Sequence, residues 1–194
     1  DDNNGISGIE KSFDKELKIT KDLLRLTVDA DIQFLIREEL LKFKEVFRAK
    51  GTAAILMDVN DGAIISMVSL PDFNLNERKT IIDEDYINRA TKGVYEFGSV
   101  FKTFTVAAGF NESLIEPHTV YLNLKRQIEC DGFKIREYSK KTPTDLTVEE
   151  ILVRSGNIGS VRIGQKIGKE KFKSFLSKIG VLETIDFDIH EVGK

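Results

Sequence analysis

The sequence predicts an α/β fold of the α+β type, an antiparallel sheet with helices, on three observations. A long amphipathic helix stands ahead of two β-prone runs, an Asp-Gly turn joins those runs, and an apolar helix follows behind Ser99. Before these lies a polar start, Asp1 to Asn4, a glycine-punctuated stretch, Gly5-Ile6-Ser7-Gly8-Ile9-Glu10, and a mixed-charge segment from Lys11 to Lys21 with little periodicity. Together they read as a linker.

From Thr27 the pattern sharpens. Thr27 or Asp29 can cap a helix, and Ile32, Ile36, Leu40, Phe43 and Phe47 recur at three and four residues. Arg48 and Lys50 suit its negative end, and Gly51 can take the left-handed terminal position. Thr52 to Val59 and Ala63 to Val68 are apolar runs around Asn60-Asp61-Gly62, a strong hairpin pattern. Leu70 to Glu84 reads as loop, and Asp85 to Lys92 as weakly helical before Gly93. Ser99 to Ala108 is apolar on nearly every side except at Lys102 and two threonines, as expected of a helix in the middle of a domain.

Asn111 to Thr144 alternates loops with short strand-like pieces and defines no firm element. Thr147 and Glu150 form a capping box that starts a short helix ending near Arg154. Ser155-Gly156-Asn157 then makes a turn, and Ile158 to Ile167 and Lys169 to Ile179 each read as a helix closed by a glycine, Gly168 or Gly180.

Composition narrows the function. At 194 residues, 41% hydrophobic and 31% charged, the chain is an ordinary folded polypeptide with enough length to bury a core. Its 29 basic against 32 acidic residues leave a net charge of -3 and no summed basic field for phosphates, which disfavours nucleic acid as a partner. One cysteine, Cys130, and two histidines, His118 and His190, cannot supply a structural zinc site. Neither a dinucleotide-binding glycine loop nor a Walker pattern is present.

Two candidates for chemistry remain. Ser99 and Lys102 lie three apart at the start of a helix, on one face, where a hydroxyl and an amine can meet. An amine desolvated among Phe101, Phe104 and Val106 is biased towards its neutral form and can then take a proton from serine. Helix N-terminal amides would favour a developing oxyanion, and Gly98 lets a substrate approach closely. Spacing alone is weak, because Ser12-Phe13-Asp14-Lys15 repeats it among charges with no buried helix behind. The lone cation in an apolar helix is what singles out Ser99 and Lys102. The second candidate is Ser155-Gly156-Asn157, whose polar side chains could face a cleft. Taken alone it reads as helix capping, with Ser155 or Asn157 capping the helix at Ile158. Cys130-Asp131-Gly132 reads as a turn rather than a thiol site.

A Ser-x-x-Lys followed by a Ser-x-Asn in an interhelical turn is two-thirds of the motif set of the penicillin-recognising serine enzymes. Within that superfamily the chain resembles class B penicillin-binding proteins, nearest to the division-specific peptidoglycan D,D-transpeptidases. The resemblance is carried by Gly5 to Phe13, which looks like the exit from a non-catalytic pedestal, by the two strands around Asp61-Gly62 up to Ser69-Leu70-Pro71, and by Asn88-Arg89-Ala90. It continues through Tyr95-Glu96-Phe97-Gly98-Ser99-Val100-Phe101-Lys102, and through Leu146-Thr147-Val148 to Ser155-Gly156-Asn157-Ile158-Gly159. Three positions depart from the pattern: the family usually has proline where Phe97 stands and threonine where Val100 stands, and serine is common where Gly156 stands.

The resemblance implies a penicillin-binding protein/serine β-lactamase-like transpeptidase fold, incomplete at the C-terminus, with residues 1–22 a linker from the pedestal and 23–194 the N-terminal portion of the transpeptidase domain. It implies Ser99 as nucleophile, Lys102 as its base, Ser155 as proton relay, and Gly98 and Asn157 at the substrate. No metal or organic cofactor is required. Peptidoglycan stem peptides and β-lactam antibiotics are the implied ligands, other division proteins the implied partners. The implied place is the periplasmic or extracytoplasmic face of the membrane, with an anchor upstream. The family's third motif, Lys-Ser/Thr-Gly, does not occur in these residues, so this stretch by itself is expected to hold a half-built site and to acylate slowly. Two alternatives stay open: a non-catalytic scaffold that binds division partners, and a β-lactam hydrolase or sensor.

Overall fold

Asp29 accepts hydrogen bonds from the backbone of Asp31 and Ile32, both at 3.0 Å, and so starts the longest helix of the molecule's first unit. The computed structural model describes residues 4–5, 7–20, 22–74 and 87–189. It divides into two compact units, Asp1–Tyr95 with Asp186–Lys194, and Glu96–Ile185.

In the first unit the segment expected to lack helices carries two short ones, α1 (Gly8–Ser12) and α2 (Asp14–Ile19). Neither buries a residue, which is why no apolar period marks them. Local polar contacts hold them instead: the Gly5 amide donates to Asp14 at 2.8 Å and Lys18 pairs with Asp14 at 2.7 Å. The next helix, α3, spans Ala30–Val46. Arg48, at φ 50, takes the left-handed position that ends it, and not Gly51. The Arg48 amide reaches Glu45 and the Ala49 amide reaches Lys44, the paired bonds of a Schellman motif. Gly51 is required for a different reason: a Cβ there would lie 2.2 Å from the Arg89 side chain and 2.8 Å from the Leu70 carbonyl.

Strands β1 (Thr52–Met57) and β2 (Ile64–Leu70) pair antiparallel, from Thr52 opposite Leu70 to Met57 opposite Ile64, around the expected turn. Alternation along β2 buries Ser66, Val68 and Leu70, and α3 packs on the hairpin. One α3 side chain pins the backbone of β2. Gln33 donates to the Met67 carbonyl at 2.9 Å and accepts from the Met67 amide at 2.9 Å and the Ser66 hydroxyl at 2.7 Å, so buried Ser66 is satisfied. Of the weak helix expected over Asp85 to Lys92, the described part, 87–92, is a turn in which Asn88 accepts from Thr91 and Lys92. Asp85 and Tyr86 lie outside the described residues.

In the second unit a single 3-10 turn, Gly98–Phe101, leads into α4 (Lys102–Asn111). Strands β3 (Val120–Tyr121), β4 (Gln127–Cys130) and β5 (Phe133–Arg136) occupy the stretch in which the sequence defined no element. Asp131 at φ 51 and Gly132 at φ 80 make the turn between β4 and β5, as expected. β6 (Leu146–Thr147) pairs with β3 and runs into α5 (Val148–Val153) through the expected capping box, with the Glu150 amide on the Thr147 hydroxyl and the Thr147 amide on the Glu150 carboxylate. Then come α6 (Asn157–Ile167) and α7 (Lys169–Lys178). Their core comprises Val106, Ala108, Ile115, Leu124, Leu146, Val148, Ile151, Ile158, Ile163 and Ile167, and α4 packs by one face against α5, α6 and α7. It is not the fully enclosed helix expected, because Thr103, Ala107 and Phe110 on its other face are exposed. Gly159 lets α5 and α6 close on each other, since a Cβ there would meet three Ile151 side-chain carbons at 2.6–2.8 Å.

Candidate active site

Lys102 opens α4, half-buried, with its ammonium turned to the α5–α6 junction. Its Nζ donates to the Ser155 carbonyl at 2.6 Å, the Ser155 hydroxyl at 3.0 Å and the Asn157 Oδ1 at 2.5 Å. Three donors meet three acceptors, which accounts for a cation in an otherwise apolar helix. Burial pushes the Lys102 pKa below the ordinary lysine value, and the nearby Glu137 carboxylate opposes that shift in part.

Ser155 faces the lysine with two groups because of its backbone. It stands at φ 54, directly after the end of α5, with its amide on Leu152 at 3.0 Å and the Gly156 amide on Ile151 at 2.8 Å. This is a Schellman motif whose left-handed residue is a serine. Asn157 is the first residue of α6, and neither it nor Ser155 caps that helix. The Asn157 side-chain amide is held at both ends, accepting from Lys102 and donating to the Arg136 carbonyl at 2.7 Å. The cap comes from elsewhere: Glu137, just past β5, accepts from the Asn157 amide at 3.0 Å and the Ile158 amide at 2.8 Å. This corrects the capping expectation. Nothing local in the sequence marks Glu137, which lies twenty residues from Asn157 in the stretch the sequence left undefined.

Ser99 lies in the 3-10 turn three residues before Lys102 and is exposed. Its hydroxyl makes no hydrogen bond to a described residue, and the lysine that was expected to meet it is bound to Ser155 and Asn157. Gly98, at φ 56 with open space where a Cβ would be, is required by its backbone conformation rather than by a neighbour. Thus Lys102, Ser155 and Asn157 are brought together, with Glu137 and Arg136 behind them. The other candidates stay apart. The Ser12 hydroxyl donates to the Gly8 carbonyl at 3.0 Å, His118 is exposed, and Cys130 ends β4 with the Gln165 amide 3.7 Å from its sulfur. His190 lies outside the described residues. Among the described residues no helix is long and apolar enough to cross a membrane.

Comparison with known proteins places the chain in a family. The family described as penicillin binding protein transpeptidase domain matches residues 52–193. The chain is 26% identical over 191 residues to the Caulobacter vibrioides protein named "Probable peptidoglycan D,D-transpeptidase FtsI", covering 96% of this chain and 32% of that one. Among solved structures it is similar to the transpeptidase domain of Burkholderia pseudomallei penicillin-binding protein 3, with a TM-score of 0.67 and 28% identity over 80% of this chain and 42% of that one. It is similar also to penicillin-binding protein 3 of Mycobacterium tuberculosis, with a TM-score of 0.79 and 25% identity over 91% of this chain and 42% of that one. The chain spans about a third of the length of the curated relatives it matches.

Proposed function

The chain belongs to the penicillin binding protein transpeptidase domain family, and from that premise we propose that it carries the acylation half of a serine D,D-transpeptidase that cross-links peptidoglycan stem peptides. The observation that supports this most is the seat of Lys102, a desolvated amine on the Ser155 hydroxyl and the Asn157 amide, one helical turn from the exposed Ser99. Residues 1–22 are read as the linker from a pedestal, and 23–194 as the first part of the catalytic domain.

Ser99 Oγ attacks the carbonyl carbon of the penultimate D-Ala, and its proton passes to Lys102 in the neutral form. The C–N bond then breaks, the terminal D-Ala leaves as an amine, and Ser155 relays the proton that the amine takes up. The acyl-enzyme ester is attacked by an amine of a second stem peptide, which forms the new amide and returns the proton to Ser99. Gly98 keeps the approach open, and Asn157 orients Lys102 and the substrate amide. A β-lactam enters the same first step, its ring C–N bond taking the place of the scissile amide. A role in septal wall synthesis outside the cytoplasmic membrane, alongside division partners, is part of this reading and rests on the resemblance of the motifs; the relatives' names speak for the D,D-transpeptidase activity.

Incubating the complete protein with a fluorescent penicillin tests this. A single penicilloyl adduct is expected on Ser99, lost in Ser99→Ala and kept in Ser12→Ala. An adduct mapped to another residue, or full labelling of Ser99→Ala, overturns the reading.

A further inference from the structure

Asn157 is reached from two sides, and only one of them contains the lysine. On the other side the chain leaving β5 supplies two consecutive groups: the Arg136 carbonyl accepts from Asn157 Nδ2 at 2.7 Å, and the Glu137 carboxylate accepts from the Asn157 and Ile158 amides at 3.0 and 2.8 Å. The backbone carbonyl decides which end of the Asn157 amide is oxygen, and therefore that an acceptor faces Lys102. The carboxylate decides where the first turn of α6 lies, because each of its oxygens holds one otherwise unpartnered helix amide.

We propose that Glu137 is a positioning residue for the transpeptidase reaction. By docking the β5 end on the α6 N-terminus it sets the place of Asn157, and through Asn157 the place of the Lys102 amine. The inference rests on the reading of Lys102 as the base, and it assigns a role to a residue outside the Ser-x-x-Lys and Ser-x-Asn motifs.

Several features support this division of labour. Ser155 and Asn157 contact the amine directly but carry no charge, while Glu137 is the charged side chain whose field acts on Lys102. The Glu137 amide itself is bonded to the Arg126 carbonyl at 3.0 Å, so the carboxylate extends from an anchored strand end rather than from a free loop. The shared reach of the two oxygens also explains the choice of residue. A glutamine has one acceptor oxygen and would turn an NH2 towards one of the two amides, whereas an aspartate keeps both acceptors on a shorter arm.

The test compares Glu137→Gln and Glu137→Asp in the complete protein, with two readouts. The first is the acylation rate with benzylpenicillin across alkaline pH, up to the plateau where Lys102 is neutral in every variant. The second is the NMR titration of the Lys102 13Cε resonance together with the Asn157 side-chain amide. Glu137→Gln is expected to lower the plateau rate about ten- to a hundredfold, the scale of a small misplacement of a reacting group, and to shift both resonances, with Glu137→Asp recovering part of the rate. A purely structural cap would lower the melting temperature and leave the plateau rate of the folded protein at the wild-type value, and that result overturns the proposal. If Glu137→Gln does not fold, Glu137→Asp supplies the same readouts. If the wild type does not acylate at all, the functional reading falls separately. The Asn157 and Lys102 resonances then decide alone: moved in Glu137→Gln they support the positioning, unmoved they overturn it.

Discussion

Lys102 Nζ reaches Ser155 twice, at 2.6 Å to the carbonyl and 3.0 Å to the hydroxyl, and the left-handed backbone of Ser155 at φ 54 is what turns both groups to one side. The equivalent position after α7 is Gly180, at φ 76, with the same pair of bonds, Gly180 to Ser177 and Val181 to Leu176. Glycine is the residue this geometry favours, since a Cβ in the left-handed region costs roughly 1–2 kcal/mol. At the α5 end a serine stands there instead, as Arg48 does after α3 and Ser113, at φ 52, after α4, so what distinguishes Ser155 is the contact of both its groups with Lys102.

That contrast separates fold from function at one residue. Ser155→Gly and Ser155→Ala both remove the hydroxyl from Lys102, and both should suppress acylation. Glycine relieves the backbone and alanine does not, so urea denaturation should find Ser155→Gly more stable than Ser155→Ala by about 1 kcal/mol. Equal stabilities would mean that Ser155 is not held left-handed in solution.

Lys102 should also leave a mark on stability against pH. Its folded pKa lies below the ordinary 10.5, chiefly through burial. Below the folded value the penalty of the buried ammonium is present in full. Between that value and 10.5 the unfolded chain binds more protons than the folded one, so stability rises with pH. Measured as wild type minus Lys102→Met, to cancel the other titrating groups, the stability difference should move in favour of the wild type as pH rises through this window. A flat difference, or one that moves the other way, would place the Lys102 pKa at or above 10.5.

Two glycines three residues apart should respond in opposite ways. A Cβ on Gly156, at φ -60, would meet Ile151 and Glu137 atoms at 3.6–3.8 Å, ordinary contact distances. Gly156→Ala should therefore be neutral or stabilising by about 0.4–1 kcal/mol, through the unfolded chain. Gly159→Ala would drive its Cβ against the buried Ile151 side chain and should cost about 1–3 kcal/mol. Thermal melts of the two variants check this, and a Gly159→Ala protein as stable as wild type would mean that α5 and α6 do not pack so closely.

Local chemistry wrote much of this molecule into its sequence. The Asp29 cap, the turn at Asp61-Gly62, the Asp131-Gly132 turn and the Thr147–Glu150 capping box each depend on residues within a few positions of one another, so a short window of sequence contains the whole cause. Lys102 was legible for a related reason: a cation in an apolar helix has to have a partner, even when the sequence does not say which. Order of motifs then carried the family.

Tertiary structure decided the partners. Whether Lys102 meets Ser99 or Ser155, whether Asn157 caps a helix or orients an amine, and which carboxylate takes over the cap all depend on contacts between residues 20 to 55 positions apart. A carboxylate such as Glu137 has no local pattern, because what it satisfies are the free amides of a helix that reaches it only after the chain has folded. The same holds for Gly51: Arg48 takes the left-handed end of α3, and the glycine is needed because a Cβ there would collide with the Leu70 carbonyl and the Arg89 side chain, neighbours brought close only by the fold.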